Sequence, residues 1–175
     1  MHRREALQKL AILLGGTLSF PVQAALRGEK INSIPLDIPS DQRALISHLA
    51  EVILPETDTP GAKKAGVDKF IVRVIEDCTA KTEQEKFLQG LQKVDFLSQK
   101  AYSKPFTELD NTGKTQIMSQ LAREDTSFFL NLRELTIVGF FTSELGVTQA
   151  LAYLPVPGKF QGDLPLAPGQ RAWAI

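Results

Sequence analysis

Histidine and cysteine are scarce: two histidines and one cysteine stand in 175 residues. His2 lies at the extreme N-terminus, so His48 and Cys78 are all that the rest of the chain offers. A zinc site needs three or four ligands, which this pair cannot supply without several carboxylates. Cys-x-x-Cys-His is missing, so no covalent haem is expected. No Gly-x-Gly-x-x-Gly and no phosphate-binding loop occurs, and nothing alternates between strand and helix as a dinucleotide fold requires. His48 with Asp41 or Glu51 can be drawn as a catalytic pair. A triad also needs a placed nucleophile and an oxyanion site, and the spacing provides neither. The formal charge is zero, which gives no pull toward nucleic acid or an anionic surface. The residues point to a protein without chemistry of its own.

What is present begins with a targeting pattern. Arg3, Arg4 and Lys9 precede an apolar run from Leu10 to Phe20, diluted by Gly15, Gly16, Thr17 and Ser19. Val22-Gln23-Ala24 fits a small-residue cleavage site, and the run is too short for an ordinary membrane span. The adjacent Arg3 and Arg4 before a weakly apolar run suggest the twin-arginine route, which exports folded proteins. Residues 1–24 are therefore read as an export signal and 25–39 as an extended lead-in.

Helical spacing governs residues 40–146. Ser40 offers an N-cap to a helix carrying Leu45, Ile46, Leu49, Val52 and Ile53, which Pro55 stops. Glu56 to Gly66 is a loop, in which Glu56 and Asp58 form either a carboxylate pair that holds a cation or a turn held by Thr57, Asp58 and Thr59. Val67, Phe70, Ile71, Val74, Ile75 and Cys78 recur at one-sided helical spacing, which places Cys78 on a buried face. Thr82 and Glu85 make a capping-box pattern ahead of a helix with Phe87, Leu88, Leu91, Val94, Leu97 and Ala101 inward. A shorter helix over 112–123 turns Ile117, Met118 and Leu121 inward. Last comes 128–146, FFLNLRELTIVGFFTSELG, apolar almost all round and so expected to be buried on most sides. Thr126 or Ser127 is its expected cap and Gly146 its left-handed end. Mid-helix Gly139 is expected at a close helix crossing. The fold class is all-α: about five helices around a buried, aromatic-rich helix.

Residues 147–175 differ. Four prolines and three glycines interrupt them, yet Tyr153, Leu154, Val156, Phe160, Leu164, Leu166 and Trp173 are large and apolar. A disordered tail is normally polar. This reads as an extended arm that needs a surface, either its own bundle or a partner.

Two segments carry a resemblance. ELTIVGFFTSELGVTQALAYLPVPGKFQGDLPL, with RAWA near the end, and the earlier ETDTPGAKKAGV are similar to the markers of the gluconate 2-dehydrogenase subunit 3 family, over roughly Ser40 to the C-terminus. The resemblance implies the small, non-catalytic subunit of a flavin-dependent sugar or polyol dehydrogenase. FAD would sit in a large partner subunit of the glucose-methanol-choline oxidoreductase type, with no cofactor in this chain, and some complexes add a cytochrome c subunit. The small subunit stabilises the catalytic one and takes it, folded, through the twin-arginine translocase. The complex then works in the periplasm at the outer face of the inner membrane. Some members carry a tail cysteine near Gly162-Asp163; its lack here leaves no expected disulfide for Cys78. Aromatic residues dominate binding hot spots, so Phe140, Phe141, Tyr153, Phe160 and Trp173 are the candidate partner anchors. The alternative is a stand-alone helical periplasmic enzyme or small-molecule-binding protein, using Glu56, Asp58 and a groove beside the last helix.

Overall fold

A computed structural model describes residues 38–154, 156, 158–159, 165 and 168–173. The export signal with Arg3 and Arg4, most of the lead-in, and Phe160 lie outside the described residues. Among the described residues the protein is all-α. It has α1 (Ser40–Ile53), α2 (Val67–Cys78), α3 (Lys81–Tyr102), α4 (Asn111–Glu124) and α5 (Thr126–Phe141). A 3-10 turn spans Phe106–Glu108 and a π-helical turn Gly146–Ala150.

The apolar rows set the packing. Leu45, Ile46, Leu49 and Ala50 of α1 meet Val67, Ile71, Val72 and Ile75 of α2 and Phe87, Leu91, Val94 and Leu97 of α3 in one core. Both α1 and α5 touch every other α-helix, so the centre is shared rather than held by α5 alone. Two polar side chains in this core bond to nearby carbonyls, as buried hydroxyls must. Ser98 Oγ donates to the Lys104 carbonyl at 2.7 Å. Thr136 Oγ1 donates to that of Leu132 at 2.7 Å.

Gly139 does mark a close crossing. A Cβ there would lie 2.6 Å from Phe70 Cδ1 and 3.2 Å from Val67 Cγ1, so α2 meets α5 at a distance no larger residue allows. Phe87 and Phe128 meet in a tilted ring contact with centroids 5.3 Å apart, which ties α3 to the start of α5.

Several expectations are corrected. Helix α5 is not buried on most sides. Phe128, Leu132, Thr136, Gly139 and Phe140 face the core, while Leu130, Ile137, Val138 and Phe141 are exposed. Its cap is Asp125, whose Oδ1 accepts from Phe128 N at 3.2 Å, one residue before the hydroxyls expected to do so. Gly146 is not left-handed. It opens the π-helical turn against the Phe140 carbonyl, where a Cβ would collide. The proposed capping box does not form: Ala80 is the N-cap of α3 and no side chain caps it. Cys78 is exposed, because α2 ends at that residue and its apolar row runs past the core.

Candidate interaction surfaces

The loop between α1 and α2 is braced from below. Glu51, one turn before Pro55, receives two backbone N–H groups: Glu56 N at 3.0 Å and Lys63 N at 2.8 Å. Ala62 N adds a bond to the Leu54 carbonyl at 2.9 Å. Gly61 passes so close to the Glu51 carboxylate that a Cβ would collide with it, which explains a glycine at this point of the loop. Glu56 and Asp58 take the turn reading. Glu56 pairs with Lys64 at 3.1 Å, and Asp58 accepts from Thr57 Oγ1 at 2.9 Å. No group of three metal-ligating residues exists among the described residues. The sequence reading missed the role of Glu51. The available signal was a carboxylate at the end of a helix, directly before a loop whose N–H groups have no regular partner.

Carboxylates that bind backbone N–H groups are stronger acceptors than neutral ones. Glu51→Ala is therefore expected to cost about 1–2 kcal/mol, the solvent-exposed setting keeping the loss at this level. Urea titration reads the loss, and hydrogen exchange reads faster protons at Lys63 and Glu56. Unchanged exchange at both amides would remove the brace.

His48 lines a shallow cleft of about 380 Å³ with Glu51, Glu56, Asn111, Lys114 and Thr115. Partial burial holds its pKa below the ordinary 6.5. Lys114 and Lys63 add to the effect and Glu51 opposes it. The unfolded chain thus takes up the proton first, and stability falls as pH drops below about 6.5 until the folded imidazole also protonates. His48→Gln should flatten the melting temperature between pH 6.5 and 5, and an unchanged slope would show that other groups produce it. Both Glu51 oxygens are engaged by the loop, and neither Glu51 nor Asp41 is hydrogen-bonded to His48.

Beyond α5 the chain turns on Ser143, whose Oγ donates to Phe140 O and accepts from Gly146 N. Further on, Ala152 N donates to Ala172 O at 2.8 Å, in a parallel bridge with Trp173. At this closure Tyr153 is 56 % exposed and Trp173 57 %, and Leu154 and Val156 are also exposed. Of the expected anchors, Phe141 stands at the end of α5 and 38 % exposed, edge-on to Phe140 with centroids 5.1 Å apart. Phe140, 4 % exposed, belongs to the chain's own core.

The second exposed apolar feature is the outer face of α5. Leu130, Ile137 and Val138 line a depression of about 300 Å³ with Arg133 and Glu134. Beside it, Val52, Ile53, Met118, Ala122 and Phe129 line a groove of about 340 Å³ rimmed by Arg133. No helix among the described residues is long and apolar enough to cross a membrane. Apolar patches of this kind on a folded surface mark places where another surface docks.

The fold and these surfaces define a small helical protein that presents large apolar side chains outward at two places. The chain belongs to the family described as gluconate 2-dehydrogenase subunit 3, which matches residues 40–158. The match takes in the braced loop, the whole helical bundle and the start of the tail. It ends before the Arg171–Ala174 segment that the sequence resemblance included. No curated protein and no solved structure matches the chain.

Proposed function

We propose that this protein is the non-catalytic small subunit of a periplasmic, FAD-dependent sugar or polyol dehydrogenase. The catalytic partner is of the glucose-methanol-choline oxidoreductase type and holds the FAD. This chain stabilises it, and Arg3-Arg4 direct the folded complex to the twin-arginine translocase. In complexes that include a cytochrome c subunit, that subunit takes the electrons onward, with the assembly at the outer face of the inner membrane.

The observation that carries the reading, beside family membership, is the closed tail with Tyr153, Leu154, Val156 and Trp173 turned outward. Large apolar groups next to a hydrogen-bonded backbone bridge lose less entropy on docking than groups on a free chain. They suit an interface that must survive transport, since permanent interfaces bury more apolar surface than transient ones. Tyr153 and Trp173 are the anchors, with Phe141, exposed at the end of α5, as a third. Phe160 joins the set on sequence grounds alone. Phe140 leaves it, being covered by this chain.

The test is a tag at the C-terminus, purification from the native host, and an absorbance spectrum of the eluate. A co-purifying large chain with flavin bands supports the reading. A lone chain without flavin, from cells grown on varied sugars, would overturn it.

A further inference from the structure

The bridge in the tail leaves a backbone edge without partners. Ala152 N donates to Ala172 O at 2.8 Å, opposite Trp173. Along an extended strand, successive residues turn their N–H and C=O groups to opposite sides. Ala172 turns its carbonyl toward Ala152, so Arg171 and Trp173 turn their groups the other way. The strand of Ala152 has cover on its far side, where Leu151 N donates to Gly146 O of the π-helical turn at 3.1 Å. The strand of Trp173 has none. Arg171, Ala172 and Trp173 are all exposed. No hydrogen bond reaches the main chain of Arg171 or Trp173 from that side among the described residues.

We propose that an extended segment of the catalytic partner adds to this edge as a third strand, pairing its main chain with Arg171 and Trp173. The occupant is taken from the proposed function, and the edge says how it is held. Docking over Trp173 strips water from its N–H and C=O as well as from its ring, and buried backbone groups need new partners. A helix packed on the ring supplies none, whereas a strand supplies both. Unpaired edges are templates for such pairing, and a lone pair of strands is marginal in water until a further strand joins it. Main-chain bonds then give affinity, and alternate side chains give specificity. Arg171 and Trp173 stand two residues apart and so share one face. An acidic side chain and an aromatic one on the incoming strand suit those two positions.

The experiment compares Arg171→Pro with Arg171→Ala in the full-length tagged chain, purified from the native host with its flavin-bearing partner. Proline removes an outward N–H and leaves the atoms of the Ala152–Ala172 bond in place. Alanine keeps the N–H and loses only the side chain. Dilution of each purified complex, followed by the flavin left on the tagged chain, reads the dissociation constant. R171P should raise it about tenfold or more, and R171A by no more than about threefold. Both isolated chains should melt as the wild type does, the segment being exposed. In the wild-type complex the Arg171 and Trp173 amides should exchange hydrogen about tenfold or more slowly than in the isolated chain. A wild-type complex that carries flavin while these amides exchange as freely as before would overturn the strand addition alone. So would an R171P complex no weaker than that of R171A. A wild-type chain that brings down no flavin would overturn the proposed function and the strand addition together.

Discussion

Phe106→Ala is expected to lower the stability of the folded chain by about 3–5 kcal/mol, a large share of the about 5–15 kcal/mol that holds a typical domain together. Phe106 is fully buried although it belongs to no α-helix. It sits in the 3-10 turn after α3, and that turn packs against both α1 and α3. The surroundings are fixed independently. Ser98 holds the Lys104 carbonyl, Pro105 restricts the entry, and the Asp110 side chain caps α4 through Gly113 N at 2.8 Å. Walls held in this way relax little, so the ring leaves a cavity rather than a collapse, and the cavity adds to the lost transfer energy. Phe96, 64 % exposed on α3, is the control: Phe96→Ala should stay within about 0.5 kcal/mol. Guanidinium titration decides the matter. The Phe106→Ala midpoint should drop with an unchanged slope, and a loss below about 1 kcal/mol would show that the pocket closes on itself.

Phe106 also shows where sequence reading loses sight of the fold. Periodicity finds residues that share a helix face, and it located most of the inward rows of α1 to α4 and the stop at Pro55, though Ala101, expected inward at the end of α3, is exposed. It has no purchase on an aromatic ring in a three-residue turn, which is buried by the elements around it rather than by its own period. Cys78 failed for the opposite reason. It continues the row of α2 at the correct spacing, but a row buries a residue only as far as a neighbouring helix extends. The caps went astray by one position because Thr126 and Ser127 are good caps in isolation, while Asp125 stands at the residue where the backbone actually turns.

The largest gap lies in α5. Its sequence is apolar almost all round, and hydropathy alone takes that as burial on all sides. The structure divides it into a face for this chain's own core, through Phe128, Leu132, Thr136, Gly139 and Phe140, and a face turned outward. Nothing in an apolar pattern says whether the covering surface belongs to the same molecule. The charges do carry a hint, since Arg133 and Glu134 fall on the outward face and no buried helix keeps two unpaired charges there. The braced loop was legible as a turn, but not its cause. Glu51 reads as one more polar residue of α1 until the Glu56 and Lys63 N–H groups are seen to converge on it.

Replacing Tyr153 and Trp173 together by alanine should detach the proposed catalytic partner while leaving this chain folded. Both rings are more than half exposed, so the isolated chain should lose no more than about 0.5 kcal/mol for each. The Ala152–Ala172 hydrogen bond that closes the tail is made by backbone groups and survives the change. An aromatic anchor at the centre of an interface is worth about 2 kcal/mol or more, and every 1.4 kcal/mol or so is about tenfold in affinity. The double variant should therefore weaken the complex by about two to three powers of ten, which removes flavin from the eluate of a tagged preparation. The melting temperature of the isolated chain reports folding, and the flavin band reports partnership. A variant that melts normally and still brings down the full flavin signal would take the tail out of the interface. A variant that loses both would show that the tail supports the bundle itself. The proposed function predicts the combination of an unchanged melt and a lost flavin band, because the rings that leave are largely exposed on their own chain.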